Sequence, residues 1–176
     1  MIRIGILGDI GSGKTYVAKN FGYPVFNADE EVGNLYKKNK NVYLNLKKTL
    51  PKFINSFPIN KREIINSILM NQNNLKKIIR IIHIEIRKEL NKFLFKNKNK
   101  KIVILDIPLL LENKINKKGD ILIFVKSKKR EILKRLKKRA NFNKILLKKF
   151  RKLQLPLDYK MKKSDHIIKN NFSNKF

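Results

Sequence analysis

Eight residues near the start of the chain, Gly8-Asp9-Ile10-Gly11-Ser12-Gly13-Lys14-Thr15, constrain the fold more than any other stretch. They follow the apolar run Ile2 to Leu7 and lead into Tyr16-Val17-Ala18-Lys19, which gives G-x-x-x-x-G-K-[ST] between a strand and a helix. The spacing has a physical reason. Glycine lets the backbone close around phosphate oxygens, successive N–H groups form an anion nest, and the following helix aims its positive end at the same point. Gly8, Gly11, Ser12, Gly13, Lys14, Thr15 and Tyr16 are the expected nucleotide-binding residues, with Lys14 reaching the β- and γ-phosphates and the Thr15 hydroxyl ligating magnesium.

At 176 residues the chain is long enough for one core carrying inserted lobes. It has no cysteine and two histidines, which excludes a disulfide framework and a thiolate metal site and argues against structural zinc. The opening Met1 to Leu7 is too short and too soon interrupted for a signal peptide, and no stretch approaches the roughly 18 apolar residues of a membrane span. The expectation is a soluble, cytoplasmic protein, with a monomer as the default. The net charge of +30 would ordinarily point to nucleic acid. The lysines, however, are spread over every segment after the loop and are mixed with Asn and Ile, as an A/T-rich coding sequence favours. No nucleic-acid partner is expected; the charge suits a polyanionic small substrate better.

Read in order, the chain is α/β. Ile2 to Leu7 has the continuous apolar character of a strand covered on both faces. A helix from Lys14 to Phe21 stops near Gly22, and Val25-Phe26-Asn27 forms the next strand. Asp29 lies just beyond it, where ligands bind in open parallel sheets. From about Val32 to Asn99 the pattern turns helical. Asn60 with Glu63 three later suggests a capping box, and Leu75, Ile78, Ile79, Ile82, Ile86, Leu90, Phe93 and Leu94 make a stripe of period near 3.6. Lys101 to Asp106 restores a strand ending in an acid, the usual place of the second metal-site residue in P-loop proteins. Pro108 to Asn113 reads as a turn into a short helix, Asp120 to Val125 as a strand, and two basic helices follow, the second from about Asn143 to Leu153. Asp165 to Asn171 reads as a last short strand.

A P-loop, a strand ending near an acid, a helical insertion, a second acid-ended strand and a basic helix pair make the plan of a small P-loop kinase. Within that group the sequence resembles the dephospho-CoA kinase family. The family's G-G-I-G-S-G-K-[ST] is matched by Gly8 to Thr15, with Asp9 in the second place, and its D-A-D by Asn27-Ala28-Asp29. Its D-[VI]-P-L-L-[FL]-E is matched by Asp106 to Glu112, its R-L-x-x-R by Arg135 to Arg139, its Q-M-P-x-x-x-K by Gln154 to Lys160, and its A-D-x-[VI]-I-x-N by Ser164 to Asn170. Weaker echoes of D-R-x-x-L and H-P appear at Lys61-Arg62-Glu63 and His83-Ile84.

The resemblance implies ATP-dependent phosphorylation of the ribose 3′-hydroxyl of dephospho-CoA, with ATP as co-substrate and Mg2+. It implies catalytic roles for Asp29, as base, and for Lys14, Arg135 and Arg139. It also implies acceptor contacts at Arg62, His83 and Asp106, an adenine-side role for Asn170, and metal held by Thr15 with Asp29, Asp106 being a second acid within reach through water. The expected fold is a P-loop nucleotide-kinase fold, a mostly parallel sheet flanked by helices. Residues 1–33, 99–125 and 160–176 would form the core, 34–98 the helical acceptor lobe and 126–159 the lid. The departures are Asn27 for the first acid of D-A-D, Ile84 for the proline after His83, Ile132 for the glutamine before the lid's first arginine, and an end at Phe176 without the helix most relatives add. Two other readings of the same residues are a nucleoside monophosphate kinase and a basic P-loop NTPase that binds nucleic acid.

Overall fold

The computed structural model describes residues 1–140 and 142–172. The chain divides into two compact units, one of Met1–Asn27 with Asn97–Phe176 and one of Ala28–Lys96.

The first unit is built on a five-stranded parallel sheet of order β2-β3-β1-β4-β5, from β1 (Ile2–Gly8), β2 (Val25–Asn27), β3 (Ile102–Asp106), β4 (Ile121–Lys126) and β5 (His166–Lys169). β1 is central, and its last six residues are buried, which is why its sequence, Arg3 apart, is apolar rather than alternating. The register sets Asn27 beside Asp106 and Gly8 beside Val125, so the carboxyl ends of three strands gather the loop and both strand-end polar residues at one edge. α1 (Lys14–Asn20) packs Ala18 on a core of Ile4, Ile6, Ile104, Ile123 and Val125. Near the opposite end, Arg3 pairs with Asp120 at 3.0 Å and donates to the Ile115 carbonyl at 3.0 Å.

The segment after β3 differs from the expected short helix. Residues 108–114 form successive turns, because the backbone bonds alternate in span: Leu110 to Ile107, Asn113 to Leu109, Lys114 to Leu111 and Ile115 to Leu110. No repeating i−4 pattern is established. Then come α6 (Lys129–Lys137), α7 (Lys144–Arg151, capped by the Asn143 side chain) and α8 (Leu157–Lys162). α8 was not expected: its six residues are too few to show a period, and Pro156 at its start reads in sequence as a break. The final four residues of the expected core segment 160–176, and Asn141 in the lid segment, lie outside the described residues.

The second unit is helical: α2 (Ala28–Lys38), α3 (Lys40–Thr49), α4 (Lys61–Met70) and α5 (Gln72–Lys96). α5 buries Leu75, Ile78, Ile82, Ile86 and Leu90, and the other three helices pack on it. It runs through Ile84 without a break, as expected of a chain lacking proline there. Asn60 caps α4 through the Arg62 N–H at 2.9 Å, but Glu63 does not close the box. Its carboxylate accepts instead from the Asn55 and Ser56 N–H groups and ties the preceding loop to the helix.

Candidate active site

The loop after β1 turns back on glycines with positive φ, 85° at Gly11 and 93° at Gly13. A side chain at Gly13 would run into the Asn170 amide, and one at Gly11 would lie 3.0 Å from Leu136 of α6. Both positions therefore need glycine for conformation and for space. Two side chains clamp the same carbonyl of the loop: Ser127 Oγ donates to the Ser12 oxygen at 2.9 Å and Asn170 Nδ2 donates to it at 3.0 Å. The Ser12 hydroxyl is itself buried, with no hydrogen-bond partner among the described residues. Lys14 is 9 % exposed, and its ammonium donates to the carbonyls of Asp9 at 2.9 Å and Gly8 at 3.3 Å. These bonds lay the side chain back along the loop. Tyr16, next along α1, is 49 % exposed.

Beneath the loop, Thr15 Oγ1 donates to Asp106 Oδ2 at 2.6 Å, and Asn27 Nδ2 donates to the same oxygen at 3.1 Å. Asp106 is 3 % exposed. Loop, β2 and β3 thus converge on one carboxylate. Hydroxyl and carboxylate oxygens side by side at a phosphate loop suit a hard divalent cation. Among the described residues no three His, Cys, Asp or Glu side chains are grouped so that they could hold a metal ion, and magnesium here would draw its remaining ligands from phosphate and water, its usual habit. Asn27 is the departure from D-A-D, and its amide supplies a donor to Asp106 where an acid would set a second negative charge beside it.

Arg135 and Arg139 lie on and just after α6, and both are exposed. The Arg135 guanidinium stacks 4.2 Å from the centre of the Phe172 ring, whose backbone N–H donates to Asn170 Oδ1 at 3.0 Å. The loop, Asn170 and Arg135 are joined in this way through Phe172, a residue with no motif to announce it. Two motif residues without an expected role, Glu112 and Lys160, form an ion pair of 2.6 Å with both side chains buried. Glu112 also accepts from the Leu155 N–H at 2.9 Å. Their part is to pin the turn after β3 to the start of α8.

The remaining candidates belong to the helical unit. Asp29 is the second residue of α2, exposed, in the first turn where the helix dipole favours a carboxylate. Arg62 is exposed in the first turn of α4. His83 is half-buried midway along α5, and burial together with the nearby Arg87 charge holds its imidazole below the usual histidine range.

One residue near the loop escaped the sequence reading. Arg151 of α7 holds the Asp9 carboxylate at 2.7 Å. In so basic a chain a single arginine does not stand out; the available signal was Asp9 itself, an acid in a phosphate loop that needs a cation beside it.

The sequence profile described as dephospho-CoA kinase matches residues 2–175. The chain belongs to the dephospho-CoA kinase family. A dephospho-CoA kinase of Wolbachia sp. subsp. Brugia malayi (strain TRS) is 33% identical over 170 residues, 94% of this chain and 87% of that protein. One from Aquifex aeolicus (strain VF5) is 30% identical, across 98% of this chain and 90% of that protein. A crystal structure from Thermus thermophilus superposes with a TM-score of 0.77 at 26% identity, covering 97% of this chain and 88% of that one. Membership makes the chain a P-loop kinase, for which the family implies ATP as co-substrate.

Proposed function

We propose that the chain moves the γ-phosphoryl group of ATP to the ribose 3′-hydroxyl of dephospho-CoA, giving coenzyme A and ADP, in the cytoplasm. The observation that carries this is the Thr15 to Asp106 bond of 2.6 Å under a complete phosphate loop, in a chain that its family matches from residue 2 to 175. The loop N–H groups and Lys14 take the phosphates. Thr15, with Asp106 beside it and Asp29 as a further acid, would hold magnesium, which when bound neutralises charge on the β- and γ-phosphates. Asp29 orients the acceptor hydroxyl and takes its proton as the new O–P bond forms and the bond to the ADP oxygen breaks. Arg135 and Arg139 balance the charge on the transferring group. In this reading residues 34–98 bind the acceptor through Arg62 and His83, Asp106 at the end of β3 is a further acceptor contact, and residues 126–159 act as the lid.

Measuring ADP release with dephospho-CoA beside a panel of nucleoside monophosphates tests the reading. Turnover confined to dephospho-CoA is the expected result, and turnover only with a monophosphate would overturn it. Oligonucleotide-stimulated hydrolysis with a steep salt dependence would instead favour a nucleic-acid NTPase. Asp29→Asn should lower kcat by about 10²–10⁴ while equilibrium ATP binding persists; normal turnover by that variant would remove Asp29 as the base.

A further inference from the structure

Asp9 puts a carboxylate into a loop whose backbone is arranged to receive anions, and it is only 7 % exposed. Its Oδ1 accepts from the Ile10 N–H at 2.7 Å, which fixes the side chain against the loop. Arg151 meets both oxygens, Nη2 to Oδ2 at 2.7 Å and Nε to Oδ1 at 3.3 Å, the forked geometry of a strong arginine–carboxylate pair. The Arg151 side chain is 37 % exposed while that of Asp9 is 9 % exposed, so the arginine lies on the solvent side of the acid. A carboxylate held at a phosphate loop, if unpaired, repels the phosphates the loop must bind, and low local dielectric and partial burial strengthen that repulsion. A guanidinium laid over it cancels most of the field.

We propose that Arg151 sets the affinity for nucleoside triphosphate by pairing with Asp9 and so masking a negative charge inside the phosphate loop. It acts through Asp9 rather than by touching the nucleotide, which makes it a positioning residue. The proposal rests on the reading of Gly8 to Thr15 as the ATP loop. It separates from a mere tether between α7 and the loop by the sign of the Asp9 effect. A tether is lost equally when either partner is removed, whereas a mask matters only while the charge it covers is present.

The experiment is isothermal titration of ATP into the wild-type chain, Arg151→Gln, Asp9→Asn and the double variant, at low and at high salt. Arg151→Gln should weaken binding by about tenfold at low salt, and the defect should shrink in part as the ionic strength rises toward about 1 M, where the Debye length is about 3 Å, without vanishing, because a partly buried charge is screened less than an exposed one. Asp9→Asn should bind at least as tightly as wild type, and the double variant should return to within about twofold of wild type, because there is then no charge to mask. In turnover the Arg151→Gln change should appear in KM for ATP with kcat kept. Unchanged ATP affinity in Arg151→Gln, a double variant as weak as Arg151→Gln, or an Asp9→Asn variant as weak as Arg151→Gln would each overturn the proposal. Wild-type protein that fails to bind ATP would bring down the reading of the loop and this inference with it; wild-type binding with an indifferent Arg151→Gln brings down this inference alone.

Discussion

Asp106 Oδ2 accepts from the Thr15 hydroxyl at 2.6 Å and from the Asn27 amide at 3.1 Å, so one oxygen atom fixes two side chains, one from the start of α1 and one from the end of β2. Replacing Asn27 by Asp would bring two carboxylates to hydrogen-bond distance, where they cannot both ionise without a cation. Asn27→Asp is therefore expected to lower the thermal midpoint in chelator and to raise the stabilisation that Mg2+ brings above that of the wild type. An equal Mg2+ response in both proteins would count against metal at this oxygen. Lys14→Ala should cost about 10² or more in kcat/KM by removing the loop's charge from the phosphates, read by steady-state kinetics and by loss of ATP binding. His83 makes a prediction in pH. Its folded-state pKa is lowered, by burial first and then by Arg87. The stability it contributes is thus present above its unfolded value of 6.5 and is lost as pH falls below it. Denaturation at a series of pH values should show a slope just below 6.5 that is smaller in His83→Gln.

At the scale of elements, Glu112 and Lys160 join the turn segment 108–114 to α8 through a pair with both side chains buried. Removing one partner leaves the other as an uncompensated buried charge, so Lys160→Met should cost about 3–5 kcal/mol in urea denaturation. Glu112→Leu with Lys160→Met together should cost much less, since no charge then remains inside. A double variant no more stable than the single one would show that the pair supplies net stability. The same elements mark the limits of sequence reading. β1, β3 and β4 were legible because strands covered on both faces write mostly apolar runs; β2 and β5, of three and four residues, were placed by the shorter Val25-Phe26 and Ile167-Ile168 pairs, and α5 was legible because Leu75, Ile78, Ile82, Ile86 and Leu90 repeat along one face. α8 and the 108–114 turns were not, being too short for periodicity to distinguish from a loop. In the candidate site the phosphate loop and Asp106 could be read from spacing alone. The Asp9 pair with Arg151, the hold of Asn170 on the Ser12 carbonyl and the stacking of Arg135 on Phe172 could not, since each joins residues far apart in the chain, and no local pattern specifies such a partner.

Over the whole molecule, a net charge of +30 on 176 residues places many like charges within reach of one another. Self-repulsion of this kind destabilises a compact state and is screened by salt. Raising sodium chloride from about 0.01 M to about 0.15 M, which shortens the Debye length from about 30 Å to about 8 Å, should raise the thermal midpoint. The same change should weaken ATP binding, and a midpoint that falls or stays level would show that the charges are already balanced locally. The sheet order has a consequence for biosynthesis. β1 leaves the ribosome well before its sheet neighbours β3 and β4, which begin at Ile102 and Ile121. At about 5–20 residues per second, the strand that ends in the phosphate loop waits roughly 5–25 seconds for a partner. The helices of Ala28–Lys96, whose contacts lie closer together in sequence, emerge within that interval. Arg3 is the one charge in β1, and a charge within an apolar strand is a feature that disfavours pairing with a wrong chain during such a wait.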